Sequence, residues 1–239
     1  MKRLLLTTLC ACASAGFLSA QFTDQFNTTV AGRWAAPVSA FGPTDANVSG
    51  VTFSQNNTSS RIDWTLTLSG AGGAARMITL QSHTGTYDSD WSVELAVNNS
   101  FAAALGQSTQ IGVMLFNTAG MDSSLTADYV KLVLQQAPVS GNGDSIHYGL
   151  HSNGNSNPST NTAFNGTASV LKLAYTASSH TIATYYDNNL LATYGIAGTG
   201  GDLAQNWGMS SGGSFTLGLY AQAASAGTAF SLEAGAANA

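Results

Sequence analysis

Residues 90–98 (DWSVELAVN) place an apolar side chain at every second position: Trp91, Val93, Leu95 and Val97 fall in one phase, Ser92, Glu94 and Ala96 in the other. Side chains leave a strand on alternate sides, so a two-residue period predicts a strand with one face in a core and one in water. The pattern recurs. Val130, Leu132 and Leu134 alternate with Tyr129, Lys131, Val133 and Gln135, and residues 146–151 follow the same rule. Residues 110–117 read as a more continuously apolar strand. Residues 170–176 run into a turn at Ser178-Ser179, and residues 181–186 pair back with 190–194 through Asp187-Asn188-Asn189, a hairpin signature. Segments 51–53, 61–68, 76–80, 215–222 and 228–233 complete about ten to twelve strands, a number that fits a two-sheet antiparallel sandwich better than an α/β fold. Only residues 101–105 offer a helical turn, and the Asn- and Ser-rich run 152–166 reads as a surface loop inside a single domain spanning 21–239.

The first twenty residues read as an export signal. Lys2 and Arg3 supply the positive start, residues 4–17 an apolar stretch, and Leu18-Ser19-Ala20 a small-residue cleavage site, so the mature chain is expected to begin at Gln21. A cut after Ala15 also fits. A lipoprotein-type cut before Cys12 is disfavoured by the short apolar run ahead of it and by Cys10 two residues upstream. Both cysteines, Cys10 and Cys12, lie in this segment; the rest of the chain has no thiol, and its stability must come from the core alone. Beyond the signal, five basic residues (Arg33, Arg61, Arg76, Lys131 and Lys172) face twelve acidic ones. That balance opposes nucleic acid and anionic lipid, and makes a neutral polysaccharide a better partner than an acidic one, with Lys131 and Lys172 as local exceptions. No later segment reaches the ~20 apolar residues of a spanning helix. The expected location is secreted or periplasmic.

Phe22-Thr23-Asp24-Gln25-Phe26-Asn27, residues 87–97 (YDSDWSVELAV), residues 171–188 (LKLAYTASSHTIATYYDN) and residues 215–221 (FTLGLYA) resemble bacterial secreted proteins of the concanavalin A-like lectin/glucanase superfamily, of the LamG-like kind. The resemblance covers most of residues 22–233 and rests on strands, turns and aromatics. It implies a jelly roll in which two curved antiparallel sheets stack and the concave one carries a sugar groove. It does not extend to the catalytic signatures. The laminarinase-type branch shows two glutamates and an aspartate at alternating positions of one strand, because retaining hydrolysis needs two carboxyl groups ~5 Å apart. This chain has two glutamates in all, Glu94 and Glu233. The alginate lyase-type Arg-x-Glu-x-Arg and Gln-x-His strands are absent too. The stretch from Tyr129-Val130-Lys131 to Gln135-Gln136 echoes that branch without its partners.

Opposite the apolar faces stand Glu94, Lys131, Gln135, His147, His151 and Lys172. If their strands are neighbours in one sheet, these side chains share a face, either a polar groove floor or the ordinary solvated side of a sandwich. His147 and His151, four apart in a strand, lie on one face but ~13 Å apart, too far to share a metal. Either alone suits a general base, with Glu94 or Lys131 beside it. Trp91, in phase with Val93 and Leu95, is assigned to the core, and Trp64 likewise with Leu66 and Leu68. Trp207, in a Gly-rich stretch, and one of Tyr185 and Tyr186, which must point to opposite faces, are the candidate sugar-stacking aromatics. The resemblance brings in a structural calcium, for which Asp24 and Asn27 near the start and Glu233 near the end would supply oxygen ligands if the terminal strands pair. Asp88-Ser89-Asp90 is too short to argue a second ion. No Gly-x-Ser-x-Gly elbow supports a serine triad.

The expected function is a secreted, non-catalytic carbohydrate-binding jelly roll. The alternative is a polysaccharide-degrading enzyme, hydrolase or lyase, built on Glu94, Lys131, His147 and His151; a structural surface-matrix protein is the third class.

Overall fold

The fold is taken from a computed structural model, which describes residues 38–39, 48–56, 61–68, 75–80, 85–98, 110–117, 128–135, 145–152, 155–156, 160–164, 168–195, 203–223 and 228–233. In chain order the elements are β1 (Val38–Ser39), β2 (Val48–Asn56), β3 (Arg61–Leu68), β4 (Ala75–Leu80), β5 (Trp91–Asn98), β6 (Gln110–Phe116), β7 (Tyr129–Gln135), β8 (Ser145–Ser152), β9 (Asn155–Ser156), β10 (Thr160–Ala163), β11 (Ala168–Thr176), β12 (Thr181–Tyr186), β13 (Asn189–Tyr194), the one-turn helix α1 (Leu203–Asn206), β14 (Thr216–Ala223) and β15 (Thr228–Glu233). All ladders are antiparallel. The large sheet runs β1-β4-β14-β6-β7-β8-β10, with β9 attached to β8. A four-stranded sheet runs β13-β12-β11-β5 and a three-stranded one β15-β3-β2; β15 lies beside β5, which brings these two into one layer.

The predicted alternation decides which faces meet. Ile111, Val113 and Leu115 of β6, Val130, Leu132 and Leu134 of β7, and Ile146 and Leu150 of β8 form one wall of the core, and Leu95, Leu171, Leu173, Tyr175, Ile182 and Tyr186 form the other. At one end the core becomes aromatic. Phe215 meets Tyr87, Trp91, Tyr175 and Trp207, with ring centroids 4.7, 5.2, 4.8 and 6.2 Å away. The segment 85–90 is laced to 210–215 by Tyr87 N–H to Gly213 O and Phe215 N–H to Gly85 O. Trp91 therefore packs on the core as its phase predicts.

Two expectations are corrected. The run 152–166 is not a plain loop: β9 and β10 within it extend the large sheet beyond β8. An edge strand needs only backbone pairing, and exposed TNTA carries no apolar alternation to announce itself. The Gly-rich stretch around Trp207 contains α1, whose Leu203 is buried in the core. Residues 101–105, Asp24 and Asn27 lie outside the described residues. Among the described residues no helix is long and apolar enough to cross a membrane.

Candidate functional site

The sheet order separates the polar residues into two groups. Glu94 on β5 and Lys172 on β11 are register partners on the outer face of the four-stranded sheet, joined by an ion pair of 2.8 Å. Lys131 and Gln135 on β7 and His147 and His151 on β8 lie on the large sheet, on the face turned away from the core. The expectation of one shared face is thus corrected. Alternation gives each side chain's phase but not which sheet its strand joins, and β5 and β7 join different sheets.

On the large sheet, Gln110 begins β6 opposite Gln135 in register. Its amide nitrogen donates to Gln135 Oε1 at 2.8 Å, and its oxygen accepts from Lys131 Nζ at 3.1 Å. The Lys131 ammonium stands 5.8 Å from the centre of the Tyr220 ring, within cation–π range. Tyr220 O–H in turn donates to Gln222 Oε1 at 2.8 Å. On the same face Met114, Phe116 and Val133 are fully buried, and β6 is closed to water on both faces.

His147 is half-buried and its Nδ1–H donates to Asn161 Oδ1 of β10 at 2.8 Å. Burial, then the nearby Lys131 charge, holds its pKa below the usual histidine value, with the Asn161 bond opposing both. With Nδ1 protonated, the neutral ring offers Nε2 as its acceptor. His151 is buried, stacked on Tyr129 at 5.1 Å with rings 7° from parallel. The face thus presents half-exposed Tyr129, Lys131, Gln135 and His147 in a continuous strip across β7 and β8. None of the eight strands of this sheet contains an aspartate or glutamate.

Trp207 is not a surface platform. It is 4% exposed, sits in the core, and its indole N–H donates to Ser152 Oγ at 3.1 Å. Tyr186 is also buried, leaving Tyr185 as the half-exposed member of that pair. Asp88 and Asp90 hold backbone: Asp88 Oδ2 accepts from Gly212 N at 2.6 Å and Asp90 Oδ1 from Ala177 N at 2.8 Å. Glu233 ends β15 opposite Arg61 in register. Among the described residues no three of His, Cys, Asp and Glu group so as to hold a metal ion.

Gln110 and Asn161 were missed by sequence reasoning. Gln110 is a polar residue opening an otherwise apolar strand, a usable signal; Asn161 sits in an Asn- and Ser-rich run where nothing distinguishes it.

No protein-family model matches the sequence, and no curated protein matches it. Solved structures do. The potassium-bound carbohydrate recognition domain of Emp46p superposes with a TM-score of 0.55 at 13% identity, over 88% of this chain and 92% of that one. Bacillus licheniformis beta-glucanase gives 0.51 at 12%, over 87% and 92%. A Clostridium perfringens endo-β-galactosidase that releases GlcNAcα1-4Gal gives 0.51 at 12%, over 84% of this chain and 56% of that one. At such identities the likeness is one of architecture: the chain folds as a concanavalin A-like jelly roll of two antiparallel sheets.

Proposed function

We propose that the chain is a secreted glycan-binding domain, released after removal of residues 1–20, that holds a neutral polysaccharide on the outer face of its large sheet without cleaving it. The observation that carries the non-catalytic reading is the absence of Asp and Glu from every strand of that sheet. Glycoside hydrolysis in its common form needs two carboxyl groups flanking the bond, about 5–9.5 Å apart. Glu94, the acid on which the sequence alternative was built, is on β5 in the other layer and paired with Lys172. Amide, ammonium and imidazole groups beside Tyr129 instead suit hydroxyl hydrogen bonds and ring stacking. The names of the Emp46p domain, the glucanase and the galactosidase add support, since each of those proteins handles a sugar within this architecture.

A second reading, a polysaccharide lyase with His147 as base, is favoured by one observation: the half-buried imidazole, bonded to Asn161 through Nδ1, has its pKa lowered by burial and then by the neighbouring Lys131, which favours the neutral form a base needs. One experiment separates the two. Residues 21–239 are incubated with neutral and acidic polysaccharides, with and without calcium, and both retained protein and new reducing or unsaturated ends are recorded. Retention on a neutral polymer with no new ends is expected; unsaturated ends abolished by His147→Ala would replace this reading with the lyase.

A further inference from the structure

A cleft of about 440 Å³ lies away from the large sheet, on the outer side of the four-stranded sheet. Its volume falls within the usual range of small-ligand sites, about 300–1,000 Å³. Its floor is cut by small side chains: Ser92 of β5 and Ala174 of β11 are register partners and both line it. Lys172 and Tyr185, paired in the next ladder, rise beside them, with Asp90 at one end and Asn188 at the other. From the level of Asp90 to that of Asn188 the sheet advances about six residues, or ~20 Å at 3.3 Å per residue, so the cleft is elongated.

Its chemistry is mixed at short range. The Tyr185 ring and the Ala174 methyl supply apolar surface. Lys172 spends one donor on Glu94 and keeps two, and the pair's charges cancel locally. Asp90 spends Oδ1 on Ala177 N–H, and its second oxygen, the Ser92 hydroxyl and the Asn188 side-chain amide make no hydrogen bond among the described residues. Donors, acceptors and a flat ring match a sugar's hydroxyls and its C–H face, and the uncompensated Asp90 carboxylate favours a neutral sugar over an acidic one.

The site is also held in shape before any ligand arrives. Asp187 and Asn188 form a two-residue turn with φ of 46° and 63°. Asp187 Oδ1 accepts from Val170 N at 2.8 Å and Oδ2 from Ser169 Oγ at 3.1 Å, which fixes the hairpin tip to β11. A register shift between Thr184 and Tyr185 sits at the base of that tip, the kind of irregularity that re-aims a side chain. The backbone that carries Asn188 and Tyr185 is therefore fixed before binding.

We infer that this cleft is a second saccharide-binding site, which takes a segment of neutral oligosaccharide stacked on Tyr185 and hydrogen-bonded by Asn188, Lys172 and Asp90. It shares only its ligand class with the function proposed above and uses none of the same residues. Two sites on opposite faces would let one domain bridge two chains of a polymer, with avidity above either affinity.

Amide-resolved NMR titration of residues 21–239 with neutral hexasaccharides (gluco-, xylo- and manno-configured) and with oligogalacturonate tests it. The expected result is saturable shifts at residues 172–174 and 185–188 with a neutral sugar, weakened about tenfold or more by Tyr185→Ala and less than threefold by Tyr185→Phe, which keeps the ring. Asn188→Gly, compatible with the turn, gives an independent loss. Shifts confined to residues 129–135 and 145–151 overturn this inference and leave the large-sheet reading standing. Shifts confined to the cleft support it and overturn that reading. Cleft shifts with oligogalacturonate alone, or equal affinity in Tyr185→Ala and wild type, overturn the inference.

Discussion

His147 shows how one neighbour sets a residue's behaviour. Its pKa is held below 6.5 in the folded chain, by burial first and the Lys131 charge second. Above 6.5 the ring is neutral whether folded or not. As the pH falls below 6.5 the unfolded chain takes up the proton first, so stability falls with pH until the folded ring also protonates. Urea unfolding at pH 7.5 and 5.5 should show this loss shrinking in His147→Gln; an unchanged loss would remove His147 as its source. Tyr175 makes a second case. Its hydroxyl donates to Tyr87 O at 3.0 Å and accepts from His180 Nδ1–H at 2.9 Å, and burial, with smaller effects of Tyr87, Asp88 and Asp90, pushes its pKa up to about 12. Tyr175→Phe strands a buried carbonyl and should cost about 1–3 kcal/mol in urea unfolding. At this scale the sequence is informative about phase and silent about neighbours. Lys131, Gln135 and His147 were placed opposite the apolar face by alternation alone. The separation of Glu94 from them was not legible, because phase does not say which strands pair. Trp207 was misread because its glycine-rich surroundings hide the helical turn that buries it.

Elements were more legible than residues, and the exceptions are instructive. The β12–β13 hairpin followed from Asp187-Asn188-Asn189 between apolar runs; the structure puts Asn189 in β13, and the two positive φ values at Asp187 and Asn188 are those a two-residue turn of matching twist requires. Asp187→Ala removes the carboxylate that holds this turn to β11 and should lower stability by about 1–2 kcal/mol in thermal or urea unfolding. Gly112, midway along β6, answers to a different constraint. A Cβ there would stand 2.3 Å from Leu132 O and 2.6 Å from Val133 Cα, both backbone atoms of β7. Gly112→Ala should therefore cost about 2–3 kcal/mol by forcing the two strands apart. If the variant unfolds at the wild-type denaturant concentration, the close approach of β6 and β7 is wrong. β9 and β10 escaped sequence reading because edge pairing uses main-chain bonds that leave no apolar pattern.

For the whole molecule, alternation at this density without helices led to a two-sheet sandwich, and that is the architecture found. The order of strands was beyond reach: β14 inserts between β4 and β6, far from both in sequence, in a sheet whose strands carry Lys, Gln, His and Tyr but no carboxylate. Binding on that face without turnover is the central claim. It is tested most directly by calorimetric titration of the retained neutral glycan into Tyr185→Ala, which silences the opposite cleft, with and without Lys131→Ala and Gln135→Ala. The account predicts single-site binding in Tyr185→Ala that weakens about tenfold or more with either added substitution, while the unfolding midpoint confirms an intact fold. Equal affinity in all three proteins would show that the large sheet does not hold the glycan.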